Sequence, residues 1–432
     1  MTTYLNSLDY ARYLDETDEL RHFRAEFLVP ERDGQPLTYL CGNSLGLQPR
    51  RARQALEREL MSWQQRGVEG WFEGDAPWLS YHRSCQEPLA RLVGARPAEV
   101  CPMNNLTVNL HLMLTTFYRP TGTRTKILTL AGDFPSDQYA LETHVRSRGL
   151  DPAEVLVEVP LRAGEFHWRE ADLLQVLDQQ ADTLALVVMS GLHYYNGQVL
   201  PMQALAQKAR ALGIPVGFDL AHAVGNVPLH LHHWDVDFAV WCSYKYLNAG
   251  PGGVAGLFVH EKHHKAQAPR LAGWWGYDEA RRFEMTQGFV PMPGAAGWQL
   301  STPAILPLAV HRAALGLFEE AGGMERLREK SLRLTGYLEF LLQDINQRYG
   351  APITLMTPPR AEERGCQLSW LVRAEGKVLF DYLGQRGIVG DWREPNCIRL
   401  APAPLYNTFE EVWRVGEALD TFYAASRPRY PF

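Results

Sequence analysis

Two residues 26 positions apart, Asp219 in IPVGFDLAHA and Lys245 in DFAVWCSYK, each stand at or just beyond the end of a short apolar run that reads as a strand. Other such runs also end on reactive side chains. LALVVMSG delivers Ser190, and KILTLAGDFPSD delivers Phe134, Ser136 and Asp137. His222 follows Asp219 by three residues, and Tyr244 directly precedes Lys245. In an open parallel sheet, ligands bind outside the carboxyl ends of the strands. One rim would therefore gather two acids, a histidine, a tyrosine, hydroxyls, an aromatic plate and a lysine.

An acid and a lysine at two strand ends suit pyridoxal phosphate above other cofactors. That cofactor needs a lysine for its Schiff base and a carboxylate facing the pyridine nitrogen, which keeps the ring an electron sink. Plainer roles exist for each residue taken alone. A strand-end lysine can snorkel to solvent, and Asp219 can cap the turn that follows it.

The elements that must position these residues are legible in outline. Between about 98 and 260, strand-like runs at 126–130, 154–160, 184–189, 214–219, 237–243 and 254–259 alternate with helical stretches. Alternation of this kind predicts a doubly wound, mostly parallel α/β sheet. Before it, residues 7–30 carry helical periodicity up to Pro30, and residues 50–65 read as a second helix. After about 305 a long helical run leads to CQLSWLV, VLFDYLGQRG, CIRLAP and a terminal helix, which predicts a smaller α+β domain. The expected division is 1–64 as an N-terminal segment packing with the small domain, 65–305 as the large cofactor domain, and 306–432 as the small domain.

Bulk properties narrow the class. The chain has 432 residues, 46% hydrophobic and 21% charged, with a formal net charge of −6. An acidic balance disfavours nucleic acid and anionic membranes, which reward basic excess. No apolar run approaches the length of a membrane span. Six cysteines without a C-x-x-C pair fit a reduced, cytoplasmic setting and no metal. The polar N-terminus does not read as a signal peptide.

Six segments together resemble the kynureninases: YLCGNSLGLQP, DFPSDQYA, SGLHYYNGQ, the long block from GFDLAHAVGNVPLHLHHWDVDFAV through WCSYKYLNAGPGGVAGLFVHEKH, ERGCQLS, and NCIRLAPAPLYNTFEEV. The likeness covers nearly the whole chain. It implies a fold-type I pyridoxal-phosphate enzyme, a homodimer, that hydrolyses kynurenine to anthranilate and alanine in tryptophan catabolism and NAD biosynthesis. On that resemblance Lys245 forms the Schiff base, Asp219 pairs with the pyridine nitrogen with Asp137 nearby, and Phe134 stacks on the ring. Leu106, Thr107, Pro135, Ser136, Ser190, His222 and Tyr244 complete the pocket, with Thr107 and Tyr244 near the phosphate. Trp274 and Thr302 match further cofactor contacts, and Arg399 clamps the substrate α-carboxylate, a task suited to a bidentate guanidinium. Tyr244 is the expected general base for hydration. Thr302 and Trp71 stand where relatives that favour the ring-hydroxylated substrate carry asparagine and histidine, which points to plain kynurenine.

Three motifs invite other readings. HEKHH (260–264) matches the zinc-protease pattern H-E-x-x-H, but interposed lysines and its place directly after a strand favour a solvated helix start. His230, His232 and His233 crowd a polar connector, where alternation would send His230 and His232 to one side. GPGGVAG precedes a strand, the wrong order for a dinucleotide loop; a turn passing close to the cofactor fits better. Among rivals of the same fold, a cysteine desulfurase needs a reactive thiol on a mobile loop, whereas Cys366 and Cys397 lie in strand-like runs.

Overall fold

The apolar runs between 98 and 260 are too uniformly hydrophobic to leave a face in water, so as strands they require helices on both sides. In the computed structural model, which describes residues 4–265 and 268–425, they build one seven-stranded sheet. In chain order its strands are β1 (Val100–Pro102), β2 (Lys126–Leu130), β3 (Leu156–Val159), β4 (Leu184–Ser190), β5 (Val216–Asp219), β6 (Phe238–Trp241) and β7 (Gly256–Val259). The spatial order is β1-β7-β6-β5-β4-β2-β3. From β6 to β3 every pairing is parallel, and β7 runs against both of its neighbours. All seven residues of β4 are buried, as a central strand covered on both faces demands.

A smaller antiparallel sheet follows, made of β8 (Ile353–Leu355), β9 (Leu368–Val372), β10 (Asp391–Arg393) and β11 (Cys397–Leu400) in the order β8-β9-β11-β10. Its register sets Ser369 and Asp391 on either side of Arg399.

The N-terminal segment departs from the expected single helix. The helix spans Leu8–Glu16, a 3₁₀ turn spans Arg21–Glu26, and the chain is extended at Phe27–Leu28. Polar side chains intervene between them: the Thr17 hydroxyl bonds the Tyr13 carbonyl, and the Asp18 carboxylate accepts from Leu20 N–H. Such side chains compete with the helical backbone for its own partners. Asp18 is also held by Lys330 at 2.7 Å, both side chains being 4% exposed.

Hydrophobic contacts divide the described residues mainly between cores at the large sheet and one at the small sheet. Ala11, Leu14 and Leu40 pack with the small sheet and its helices, while Leu20, Phe23, Phe27, Leu47 and Ala55 pack with the large sheet. Leu308, Leu315 and Phe318 also belong to the large core. One change of core falls inside the helix Met324–Tyr349, between Leu327 and Leu334, and Ala403, Leu405 and Tyr406 return to the large core. A 26-residue helix is about 39 Å long, enough to serve two cores.

Candidate active site

At the carboxyl ends of β2, β4, β5 and β6 a cleft opens, lined in part by Phe134, Asp137, Ser190, Asp219, His222 and Lys245. Leu106, Thr107, Ser136 and Tyr244 complete its predicted lining. Ten of the residues expected from the sequence therefore share one cleft. Pro135 opens the helix Pro135–Ser147, where a missing N–H costs nothing.

One end of the cleft is built for an anion. The helices Leu106–Phe117 and Pro135–Ser147 bring their N-termini together, and the Thr107 and Ser136 hydroxyls lie 2.8 Å apart. Free N–H groups and the helix dipoles favour a phosphate at such a place.

Lys245 is buried, with Nζ 3.0 Å from His222 Nε2 and 5.7 Å from the Phe134 ring centroid. Behind it the N-terminal loop presses close: Gly46 N–H donates to the Tyr244 carbonyl at 2.9 Å. A Cβ at Gly46 would stand 2.3 Å from the Lys245 carbonyl oxygen, so only glycine fits there.

The electrostatics follow from burial. Burial, together with the neighbouring Asp219 and Asp133 carboxylates, pushes Asp137 well above the usual carboxylate range. Asp219 is also raised by burial, partly offset by Asp137 and the Ala221 N–H. Burial first, then the Lys245 and Arg399 charges, hold His222 well below its ordinary value and therefore neutral. Burial raises the Tyr244 phenol, which keeps its proton at neutral pH. Ser190 Oγ, Asp137 Oδ1 and His222 Nδ1 are buried with no hydrogen-bond partner among the described residues. Unpaired buried polar atoms are costly in a core, and here they ring a cleft able to receive a polar heterocycle.

Arg399, 1% exposed, stands on the small sheet outside the cleft's lining and is tied to it through the lining residue Tyr194. Its Nη1 donates to the Tyr194 carbonyl at 2.5 Å and its Nη2 to Asp391 at 2.6 Å. Trp71, Trp274 and Thr302 are not brought to the lining of the cleft within one chain. Trp71 packs on Trp78 and Trp275, at 5.5 and 5.6 Å between ring centroids. Trp274 is 45% exposed with its Nε1 on the Arg282 carbonyl, and Thr302 is exposed.

Residues not singled out from the sequence also belong here. Asp133, Leu192, Tyr194, Ala221 and Cys242 line the cleft. Asp133 ties the Phe134 N–H to the Ser190 N–H, at 3.0 and 2.9 Å, and so fixes two strand ends together. Its position immediately before FPSD at a strand end was an available signal. Tyr194, after β4, was not, because its contact with Phe134 at 5.2 Å depends on the loop's path.

The histidine motifs converge at the opposite end of the sheet. HEKHH forms a short 3₁₀ turn, Glu261–His263, and not the start of a solvated helix. His260 is buried, because the Glu99 carboxylate accepts the Glu261 N–H and draws the turn inward. His230 and His232 part, since the connector turns: His230 is exposed against Trp234, and His232 Nδ1 meets Glu99 at 2.9 Å. Ligand atoms of Glu99, His232 and His260 lie within 4.8 Å of one another. Those positions are already taken: Glu99 accepts from Arg96 and Glu261 N–H groups, and His260 Nδ1 from Lys262 N–H. The His232 and His260 rings are stacked 9° from parallel, so an ion between them would lie out of both ring planes. The GPGG turn lines an apolar groove with Leu28, Leu47 and Val310, away from the cleft.

The architecture is shared with solved structures of low sequence identity. The cystine C–S lyase C-DES, with glycine covalently linked to its PLP cofactor, superposes with TM-score 0.73 at 21% identity, covering 89% of this chain and 96% of that one. The cysteine desulfurase CsdA from Escherichia coli gives 0.74 at 16%, covering 94% and 98%. Fold and cleft thus define a fold-type I α/β protein with a lysine at the rim of its sheet. Sequence relatives narrow this further. Residues 327–419 match the kynureninase C-terminal domain. The kynureninase of Flavobacterium psychrophilum is 47% identical over 417 residues, 96% of this chain and 98% of that protein. That of Myxococcus xanthus is 50% identical over 423 residues, 97% and 98%. The chain belongs to the kynureninase family.

Proposed function

We propose that this protein is a pyridoxal-phosphate-dependent hydrolase that cleaves L-kynurenine to anthranilate and L-alanine. The observation that carries the reading is the convergence of Asp219 and Lys245 on one cleft, with Arg399 bonded to the Tyr194 carbonyl of its wall, in a chain about half identical to kynureninases over nearly its full length. Pyridoxal phosphate fits the residues present. Thr107, Ser136 and Tyr244 would hold its phosphate, Phe134 its ring face, Asp219 its ring nitrogen, and Leu106, Pro135, Asp137, Ser190 and His222 the rest. When bound, it supplies an electron sink for negative charge developing on the substrate.

The chain's own groups do the remainder. Lys245 Nζ would hold the cofactor and, once its amine is free, would take the α-proton of the substrate. Arg399 grips the α-carboxylate and fixes the scissile bond. His222, neutral, leaves Lys245 free to take that proton. Tyr244, whose phenol keeps its proton at rest, relays a proton as water adds to the γ-carbonyl and so serves as base only for a proton it passes on.

We also infer a homodimer in the cytoplasm, working in tryptophan breakdown and pyridine-nucleotide supply. Trp274 and Thr302 would reach the cofactor of the partner subunit, since neither meets the cleft of its own chain. The exposed Leu271, Phe283, Met285 and Phe289 around them form an apolar surface that such contact would cover. Thr302 and Trp71 favour kynurenine over 3-hydroxykynurenine. We further assign residues up to 64 in part to the small domain, through the pairing of Thr38–Tyr39 with Ile388–Val389.

The test is anthranilate fluorescence from the purified protein given kynurenine, beside sulfide release from cysteine. Anthranilate alone supports the reading; sulfide without anthranilate makes the protein a desulfurase. The thiols weigh against that outcome, since burial pushes both Cys366 and Cys397 up to about 12.

A further inference from the structure

Six groups, the Arg399 guanidinium among them, form a closed circuit. Arg399 Nη1 donates to the Tyr194 carbonyl, which also accepts from Gln367 Nε2 at 2.9 Å. Gln367 Oε1 accepts from Asn43 Nδ2 at 3.0 Å. The next residue in the chain, Ser44, donates to Asp391, and Asp391 accepts from Arg399 Nη2 at 2.6 Å, which closes the ring. The circuit joins the N-terminal loop, the loop after β4 and the small sheet.

Gln367 has no route to a substrate in this arrangement. It is fully buried, and its amide is spent on Tyr194, Asn43 and the Ser369 hydroxyl at 2.9 Å. It lies two residues before Ser369, which faces Arg399 across the β9–β11 ladder, so both side chains share one face of the small sheet. A guanidinium has five N–H groups in a rigid fork. Two of them are spent on Tyr194 and Asp391, and Arg399 Nε is buried without a partner among the described residues. The fork is thus pinned by one edge, leaving the rest available to a carboxylate.

We infer that Gln367 is a positioning residue for the substrate-carboxylate clamp, acting through the Tyr194 carbonyl to fix the orientation of Arg399. This rests on the reading of Arg399 as that clamp. Removing Gln367 would free the Tyr194 carbonyl to shift, and Arg399 would follow its acceptor. Because Tyr194 packs edge-on against Phe134, the same tie also steadies the ring face of the cleft.

The experiment uses holoenzyme and two inert ligands measured by calorimetry: 2-amino-4-(2-aminophenyl)butanoate, and 3-(2-aminophenyl)propylamine, which lacks only the carboxylate. Gln367→Leu should weaken the amino acid about tenfold, the loss of one well-placed hydrogen bond, and leave the amine unchanged. KM for kynurenine should rise in step while kcat falls less than about twofold. In an Arg399→Ala background, Gln367→Leu should cost nothing further. Asn43→Ala, which opens the circuit from its other end, should shift the same ligand in the same direction by less, and it carries the test if Gln367→Leu fails to fold. If Arg399→Ala weakens both ligands equally, the clamp reading falls and this inference with it. If Arg399→Ala selects against the carboxylate but Gln367→Leu affects both ligands alike or neither, the clamp stands and the positioning role is overturned.

Discussion

Two clusters of histidine, carboxylate and lysine sit at opposite ends of the large sheet and are built from the same kinds of side chain. At the carboxyl ends of the strands, Lys245 meets a neutral His222, two acids crowd together, and hydroxyl, carboxyl and imidazole atoms lack partners among the described residues. At the amino ends, Glu99 accepts three donors, Lys262 lies 2.9 Å from Asp237, and His263 meets the same carboxylate at 2.7 Å. Among the described residues the first cluster is left incomplete and the second is saturated. Composition alone does not separate them; hydrogen-bond saturation does. A buried group without a partner destabilises the fold, and the ones that ring the cleft are placed where a polar ligand could bond them.

The contrast can be broken from either end. The largest effect should come from Lys245→Ala, with kcat down by about a thousandfold or more. The protein should also lose visible absorbance and reducibility by borohydride. Retained turnover would remove Lys245 from the chemistry. Next, Arg399→Ala should raise the dissociation constant for carboxylate ligands by an amount worth about 2–4 kcal/mol, the scale of breaking a buried charge-assisted pair. An unchanged Michaelis constant would count against the clamp.

At the saturated end, Glu99→Gln should leave kcat/KM within about twofold yet cost about 1–3 kcal/mol of unfolding free energy, because buried donors lose their acceptor. Urea titration beside steady-state kinetics measures both. A large kinetic defect with normal stability would erase the distinction between the two clusters.

The smallest effect is in pH. Burial alone would raise Glu99, but backbone N–H groups and His232 outweigh it and hold the carboxyl below its usual 4.5. A depressed acid contributes stability that is present above about 4.5 and lost as pH falls through its folded-state value. His260 is held below 6.5, chiefly by burial, so the unfolded chain takes up a proton first as pH drops below that value. Both terms have the same sign. The melting temperature should therefore fall on acidification from about pH 6.5, and Glu99→Gln should flatten the part of the curve below 4.5.

Much of the candidate site was legible because strand ends in a parallel sheet point one way, whatever the details of packing. Asp219, Ser190, Phe134 and Lys245 could be placed on one rim from the pattern of apolar runs alone. The fate of the histidine motifs could not. His232 and His260 are 28 residues apart, and Glu99, more than 130 residues from either, bonds the first directly and holds the turn after the second through the Glu261 N–H. Nothing local in HEKHH signals that a distant carboxylate will draw its first turn inward. The same holds for Gln367 and Asn43, whose motifs stood out while their partners did not.

The sequence by itself determined the alternation of strand and helix, the order of reactive residues along the rim and the family, since these depend on periodicity and on local residue identity. Only the tertiary structure decided which buried polar atoms are satisfied and which are left open. It also decided that one helix would serve two cores and that Trp274 and Thr302 would turn away from the cleft of their own chain. The reason is physical: periodicity is a property of neighbours in sequence, whereas saturation of a hydrogen bond is settled by whichever distant group arrives within about 3 Å.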